Sequence, residues 1–399
     1  MKAIREQLIK KLVKGDFLSG QMLGEELGVS RAAISKHIAV LQEMGFDIFS
    51  VTGKGYRLAQ PIELLDESQI VAQLQVLDAN TKVEVHNLID STNSYLMRRL
   101  PNQNTVGQVC IAEYQSAGRG RRGRQWISPF GSHIYMSMYW YLEQGMSAAM
   151  GLSVVAALAV SDAIKTLYQV DVELKWPNDI YFNGVKLAGI LIDLEGQTME
   201  PCHCVIGIGL NINMPERSAE LVDQPWTDLS NAIDVEIDRN LLAAHIISAL
   251  LKRLKVHSET GINTMVKEWQ GQDFYINKPV ALITGEKITR GISRESKGRF
   301  MRLLIDVGNT QVKYVLQTSG LALSEIVYLD YQHFLAQLSQ GEFSHVKQVV
   351  LANVHGDDIH DAIKSWASFN NIAFVHAQSQ ATAFGVILAF NLLNSASGK

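Results

Sequence analysis

The sequence has 399 residues, 47% hydrophobic and 19% charged, with a formal net charge of −4. That is ordinary globular composition for roughly two to four domains, and it excludes a chain-wide electrostatic draw to nucleic acid, so any such site must be local. Three cysteines make no disulfide framework and Met1–Glu6 lacks the apolar core of a signal peptide, so a reducing, cytoplasmic setting is expected.

From Ala3 to Lys14, Ile4, Leu8, Leu12 and Val13 recur at helical spacing, and Gly15 stops the helix. Ser19 is placed to cap a second helix carrying Met22, Leu23 and Leu27. After Gly28-Val29-Ser30, Ser30 caps a third helix from Arg31 to about Met44. Ile34, Ile38 and Leu41 face inward there, leaving Arg31, Ser35 and Lys36 on the other side. Ile48–Leu58 reads as a β-hairpin turning at Gly53-Lys54-Gly55. Residues 1–60 therefore read as a winged helix-turn-helix, with nine Lys/Arg against six Asp/Glu. Ser30, Arg31, Ser35, Lys36 and Lys54 are its candidate DNA contacts. The alternative is a helical protein-interaction module.

Pro61–Asp66 marks a boundary, with Asp66 capping the next helix. A central α/β region follows over 66–269. Strands are expected at Val83–Leu88, Gly107–Tyr114, Ile134–Tyr141, Val172–Trp176 and Cys204–Asn211, and helices at Thr92–Leu100, Ala148–Tyr168 and Leu241–Thr260. The apolar run Ala148–Val160 is too short to span a bilayer, so no membrane partner is expected. Ile180–Phe182 and Lys186–Leu194 form a hairpin about Asn183-Gly184. Cys202 and Cys204 flank His203, but with no second ligand pair they read better as buried thiols than as a zinc site.

The distinctive stretch is Gly118-Arg119-Gly120-Arg121-Arg122-Gly123-Arg124-Gln125-Trp126. Glycine brings backbone N–H groups close to an anion, and guanidinium forks hold phosphate or carboxylate. Alone, it reads better as a basic loop gripping nucleic acid or facing solvent. Its companions are Asp90-Ser91-Thr92-Asn93, Lys175-Trp176-Pro177-Asn178-Asp179 and Lys186-Leu187-Ala188-Gly189-Ile190-Leu191.

In this order the four motifs resemble the biotin–protein ligases, and with the helix-turn-helix in front they resemble that family's bifunctional ligase–repressors. The resemblance covers residues 1 to about 297. It implies an α+β multidomain protein that joins biotin to ATP as biotinyl-5′-AMP and passes biotin to a lysine of biotin carboxyl carrier protein. It also implies repression at operator DNA as a ligand-induced homodimer. Ser91, Thr92, Asn93, Gln115, Arg119, Gly120, Arg121 and Lys186 would bind biotin. Arg119, Arg121, Arg122, Trp126, Lys175 and Asn178 would bind ATP or the adenylate. Lys186, Arg121 and Lys175 would carry the catalysis, with Asp179 orienting a lysine or holding Mg²⁺. Read without the family, Ser91-Thr92-Asn93 is equally a helix N-cap, Trp126 a core residue, Lys186 a solvated strand end and Asp179 a turn carboxylate. Two other functions stay open: a biotin-sensing DNA-binding regulator without the ligase step, and a lipoate-type ligase.

Phe274–Ile292 is β-rich, as the start of the family's C-terminal SH3-like barrel, assigned to 270–300. Past Gly298-Arg299-Phe300-Met301 the text changes. Arg302-Leu303-Leu304-Ile305-Asp306-Val307-Gly308-Asn309-Thr310 resembles the opening of a type III pantothenate kinase, implying a partial actin/ribonuclease H-like segment over 301–399. A strand at Leu323–Tyr328, a helix at Tyr331–Gln340 and a strand at Val346–Ala352 continue that resemblance. The later kinase motifs have no counterpart, so Asp306, Gly308, Asn309 and Thr310 make half a site and pantothenate kinase activity is not expected. The strand Arg302–Ile305 is open to two roles, completing the ligase barrel or opening the kinase-like sheet. An exposed apolar helix is expected at Ala381–Leu393.

Overall fold

A computed structural model describes residues 2–143, 145, 149, 151–196, 201–284, 287–293, 301–308, 311–317, 324, 327–340, 343, 346–353 and 357–376. It divides into two compact units, one made of 1–141, 153–195 and 203–255, the other of 142–152, 196–202 and 256–399.

The first unit opens with α1 (Lys2–Leu12), α2 (Gly20–Leu27), α3 (Arg31–Glu43), β1 (Ile48–Val51) and β2 (Gly55–Leu58). Both expected caps form: Ser19 accepts from Gln21 N, and Ser30 from Ala33 N, satisfying N–H groups that the first helical turn leaves open. Gly28 ends α2 at φ 67°, giving the tight turn into α3. Leu8, Ile34, Ile38, Leu41, Phe46 and Leu58 build the core of this head, and Leu88 and Phe130 from the following region join it. Phe46 stacks on Phe130 with ring centroids 4.1 Å apart. Arg31, Ser35 and Lys36 are exposed on α3, and β1 and β2 pair antiparallel as the wing.

Asp66 caps α4 (Glu67–Val76). The chain then runs through β3 (Val83–His86), α5 (Thr92–Met97), β4 (Val109–Ala112), β5 (His133–Leu142), α6 (Leu152–Tyr168), β6 (Glu173–Lys175), β7 (Asp179–Phe182), β8 (Val185–Glu195), β9 (Cys202–Asn211), α7 (Glu216–Ala219) and α8 (Arg239–Thr260). One seven-stranded mixed sheet has the order β3-β4-β5-β9-β8-β7-β6. β3 and β4 are parallel, while β4–β5, β6–β7, β7–β8 and β8–β9 are antiparallel. The β7–β8 hairpin turns at Asn183 and Gly184, both at positive φ. β4 ends two residues before Tyr114 because the chain leaves the ladder toward the arginine loop, keeping a single bridge from Gln115 to Ile89. No helix among the described residues is long and apolar enough to cross a membrane.

At the β3 edge, Glu84 is held by Lys82 at 2.5 Å, by Tyr95 Oη at 2.6 Å and by Arg99 at 2.7 Å. Partial burial pushes its pKa up, but these hydrogen bonds and the Arg99 charge outweigh that and hold it at about 2. A carboxyl lowered in the folded state contributes stability above its unfolded pKa and loses it as pH falls toward the folded one. Glu84→Gln is therefore expected to lower the unfolding free energy by about 1–2 kcal/mol at pH 7, allowing for solvent screening. Urea midpoints should converge with those of the parent chain as pH falls from about 4.5 toward 2.

The second unit carries α9 (Val266–Gly271) and the antiparallel ribbon β10 (Pro279–Thr284) and β11 (Lys287–Ile292). Phe274–Asn277 form turns, so the ribbon starts five residues later than the sequence suggested. β12 (Met301–Val307), β13 (Val312–Gln317), β14 (Val327–Leu329), α10 (Tyr331–Ser339), β15 (Val346–Asn353), α11 (Asp357–Phe369) and β16 (Ala373–His376) follow. They make a five-stranded sheet, β14-β13-β12-β15-β16. This corrects the option that Arg302–Ile305 completes the ligase barrel. Both edges of β12 are taken, by β13 antiparallel and β15 parallel, and a strand has no third edge. Leu303, Ile305, Phe334, Val349, Leu351 and Ile363 are fully buried beneath this sheet. Asp306 lies in register with Lys313, and burial pushes its pKa up against that ammonium. Asn309, Thr310 and Ala381–Leu393 lie outside the described residues.

Candidate active site

The site gathers on strands β8 and β9, facing the N-terminus of α5 and the arginine loop. Ser91 caps α5, accepting from Ser94 N at 3.4 Å, so the N-cap role holds, and Ser91, Thr92 and Asn93 are all buried. Gln115 Oε1 accepts from Thr92 N at 2.9 Å and from Thr92 Oγ1 at 3.2 Å, while its Nε2 donates to Ser128 Oγ at 3.2 Å. Ser137 on β5 donates to Thr92 Oγ1 at 2.7 Å and lies 2.5 Å from Asn93 Oδ1. Asn93 Nδ2 donates to Leu191 O at 3.3 Å and to Asp193 at 2.9 Å.

Backbone shape brings these groups close. A Cβ on Gly207 would lie 2.1 Å from Asn93 Oδ1, and one on Gly209 would lie 2.6 Å from the Trp126 ring. The Gly-Ile-Gly of β9 is thus the open floor under two site side chains, with no nucleotide-loop geometry. Trp126 Nε1 is buried with no hydrogen-bond partner among the described residues.

The arginine loop folds back on itself: Gly120 N donates to Arg124 O at 2.7 Å, and Arg122 takes φ 57° at the bend. Arg119 pairs with Asp193, and Arg121 donates to Asn178 Oδ1 at 2.8 Å. Asn178 in turn donates to Ile190 O at 2.8 Å, fixing the amide that Arg121 meets. Lys186 lies 2.8 Å from Asp179 Oδ1 and 5.5 Å from the Trp126 ring centroid. Arg121 and Lys186 therefore meet neighbouring residues, Asn178 and Asp179. Arg122 and Arg124 are exposed. Lys175 is in register with Asp179, but its ammonium donates to Tyr181 Oη at 2.7 Å. In the head, the Ser30 hydroxyl is engaged as the α3 cap, and Lys54 lies 5.7 Å over the Phe17 ring.

Beyond Trp126 and Lys186 opens a cavity of about 250 Å³, walled also by Met214, Val222 and Trp226. Thr227 N donates to Lys186 O at 2.8 Å, and Asn211 Nδ2 to Thr227 O at 3.0 Å, which tie that wall to the reacting end. Sequence reading passed over Asp193, Ser128, Ser137 and Trp226. Ser137 and Asp193 left a trace as polar residues set within apolar runs of their strands; Ser128 and Trp226 sit in loops with no period to mark them. Three carboxylates stand at this site among the described residues: Asp179 and Asp193, each engaged by a cation, and Asp223, which lines the cavity.

A model of the biotin/lipoate A/B protein ligase family matches residues 85–211, and an HTH domain model matches 4–57. The chain is 46% identical over 288 residues to the bifunctional ligase/repressor BirA of Escherichia coli (strain K12), covering 72% of this chain and 88% of that protein. It is 31% identical over 270 residues to the Bacillus subtilis (strain 168) protein of the same name, covering 67% and 83%. Among solved structures it is similar to the biotin protein ligase from Aquifex aeolicus in complex with biotin and ATP, at 22% identity and a TM-score of 0.45, covering 63% of this chain and 100% of that one.

Proposed function

This chain belongs to the bifunctional ligase/repressors of the biotin–protein ligase family, and on that premise we propose how its residues divide the work. The protein is a biotin–protein ligase that also acts as a repressor. In the first step an oxygen of the biotin carboxylate attacks the α-phosphorus of ATP, forming biotinyl-5′-AMP and expelling pyrophosphate. In the second, a lysine amine of biotin carboxyl carrier protein attacks the acyl carbon, AMP leaves, and the amine sheds a proton. Two anions must meet in the first step, so fixed positive charge and orientation supply most of the catalysis.

The observation that supports our assignment best is the approach of Arg121 and Lys186 to adjacent residues beside an aromatic-walled cavity. In this reading Lys186 exchanges Asp179 for oxygens of the forming anhydride. Arg119 and Arg121, with the N–H groups about Gly120, hold carboxylate and α-phosphate. The α5 N-terminus and Gln115 meet biotin's ureido group, whose donors and acceptors match Ser91, Thr92, Asn93 and the Gln115 amide. Trp126 separates this pocket from the cavity, which would take the purine against Trp226. Arg122 and Asn178 line the nucleotide side, and Lys175 adds positive potential through Tyr181 without touching the reacting atoms. Among the described residues the carboxylates form no group that could hold a metal ion, so Mg²⁺ would enter as the counter-ion of the nucleotide phosphates, and no step here is routed through it.

Incubation with ATP, labelled biotin and biotin carboxyl carrier protein tests this reading. Label on the carrier is expected. Adenylate without transfer would favour the biotin-sensing regulator, for which the two-stranded β10–β11 sheet seen among the described residues, short of a full barrel, is the motive, and lipoate use would favour the lipoate-type ligase. On operator DNA, α3 and the wing would contact phosphates through Arg31, Ser35, Lys36 and Lys54, with Ser30 fixing the helix start. A homodimer formed on adenylate binding, acting in the cytoplasm, would present two such heads to two half-sites. Lys36→Ala is expected to weaken binding evenly across sequences and to reduce the salt slope by about 1, read by titrating operator binding against salt.

A further inference from the structure

Glu113 is fully buried two residues before Gln115, and Arg239, the first residue of α8, is 9% exposed. Arg239 grips Glu113 through both nitrogens, at 2.6 and 3.2 Å, and the same guanidinium also donates to the carbonyls of Glu63 and His133. Glu113 additionally accepts from Leu65 N. Asn240, the next residue of α8, donates to Leu64 O at 3.2 Å and accepts from Asp66 N at 2.8 Å. Residues 63–66, the linker leaving the winged head, are thus fastened at four consecutive positions to one helix end and one carboxylate. From Glu113 the chain passes through Tyr114, which packs on the head core, to Gln115, which orders Thr92 and Ser128. Beside the linker a cavity of about 610 Å³, lined by Asp47, Pro61, Ile62, Phe130 and Asn213, leaves room for this segment to shift if the fastening is lost.

We infer that Arg239 and Glu113 are positioning residues for biotin binding: their pair sets Gln115 and the root of the arginine loop, and through the linker it shares that geometry with the DNA-binding head. The inference rests on Gln115 as a biotin contact. Removing one partner would strand a buried charge and threaten the fold, so the informative variant is Glu113→Gln with Arg239→Met, which removes both charges. It is expected to raise KM for biotin about tenfold with kcat nearly unchanged, a size typical of coupling between sites. Hydrogen exchange at residues 113–117 should quicken. In the parent chain biotin should slow exchange of the Leu65 and Asp66 amides, and in the double variant that protection should vanish. Neutralising the half-buried pair between α6 and α8, by Asp162→Asn with Arg253→Met, is expected to leave KM for biotin as it was. A folded double variant with parental KM and parental exchange overturns the inference. If that variant does not fold, Asn240→Ala, which strands no charge, decides: it must quicken exchange at 113–117, and parental exchange there overturns the inference too. Gln115→Ala separates the premise from the conclusion. An unchanged KM there removes the ligand role of Gln115, and the exchange measurements alone then decide the clamp.

Discussion

Lys186→Ala is expected to lower biotin-dependent ATP–pyrophosphate exchange by about 10²–10³-fold, the usual cost of removing a fixed donor from a developing anionic centre. The size follows from placement. Lys186 is the second residue of β8, its backbone carbonyl is pinned by Thr227, and its side chain is 14% exposed beside Trp126. An ammonium fixed in so sheltered a place acts on nearby charge with little competition from water. Its partner Asp179, 2.8 Å away, keeps it aimed, and Asp179 would be left unpaired by the substitution. Stability must therefore be checked alongside activity, and Lys186→Ala combined with Asp179→Asn gives a variant without that stranded carboxylate. The exchange loss should persist in the combined variant, since it reflects the missing ammonium and not the orphaned acid. Arg121→Ala should lose less, because Arg121 is exposed and Arg119 stands in the same loop. Near-parental exchange in folded Lys186→Ala would remove the assignment.

Helix caps and the wing were legible in the sequence because they are local. Ser19, Ser30, Asp66 and Asn183-Gly184 each act within four residues, and the structure has all of them in those roles. The convergence of Arg121 and Lys186 was legible only through the ordered motifs, since no periodicity relates positions 65 residues apart. What stayed hidden depends on long-range geometry. Asp193 reads as a polar residue near the end of a strand, yet it receives Arg119 and Asn93 from two other elements. Glu113 looked like a flank of the arginine loop, but its partner lies 126 residues on. Strand choice around Arg302 was also undecidable locally. The segment is apolar enough for either sheet, and the competition is settled by β13 and β15, whose pairing buries Leu303 and Ile305.

Gly207→Ala is expected to weaken biotin binding by at least about a hundredfold while leaving the secondary structure intact, by the reasoning that a small displacement in a preorganised site costs that much. Gly207 sits mid-strand in β9, opposite Leu191 on β8, where alanine's backbone preferences are easily met. The obstacle is the neighbour: the added methyl carbon would lie 2.1 Å from Asn93 Oδ1 and 2.9 Å from Asn93 Cγ. Asn93 cannot swing aside cheaply. It is buried, its amide donates to Leu191 O and Asp193, and it sits in the first turn of the helix that presents Ser91 and Thr92. Relief must then come from moving α5 off the sheet or from breaking the Asn93–Asp193–Arg119 chain, and either one opens the pocket that biotin would fill. Gly271→Ala, where an added methyl carbon meets nothing within 4 Å, controls for glycine replacement itself. Calorimetric titration with biotin reads the difference directly. Parental affinity in Gly207→Ala would mean that biotin is not held between β9 and the start of α5, and the Ser91, Thr92 and Asn93 assignments would fall with it.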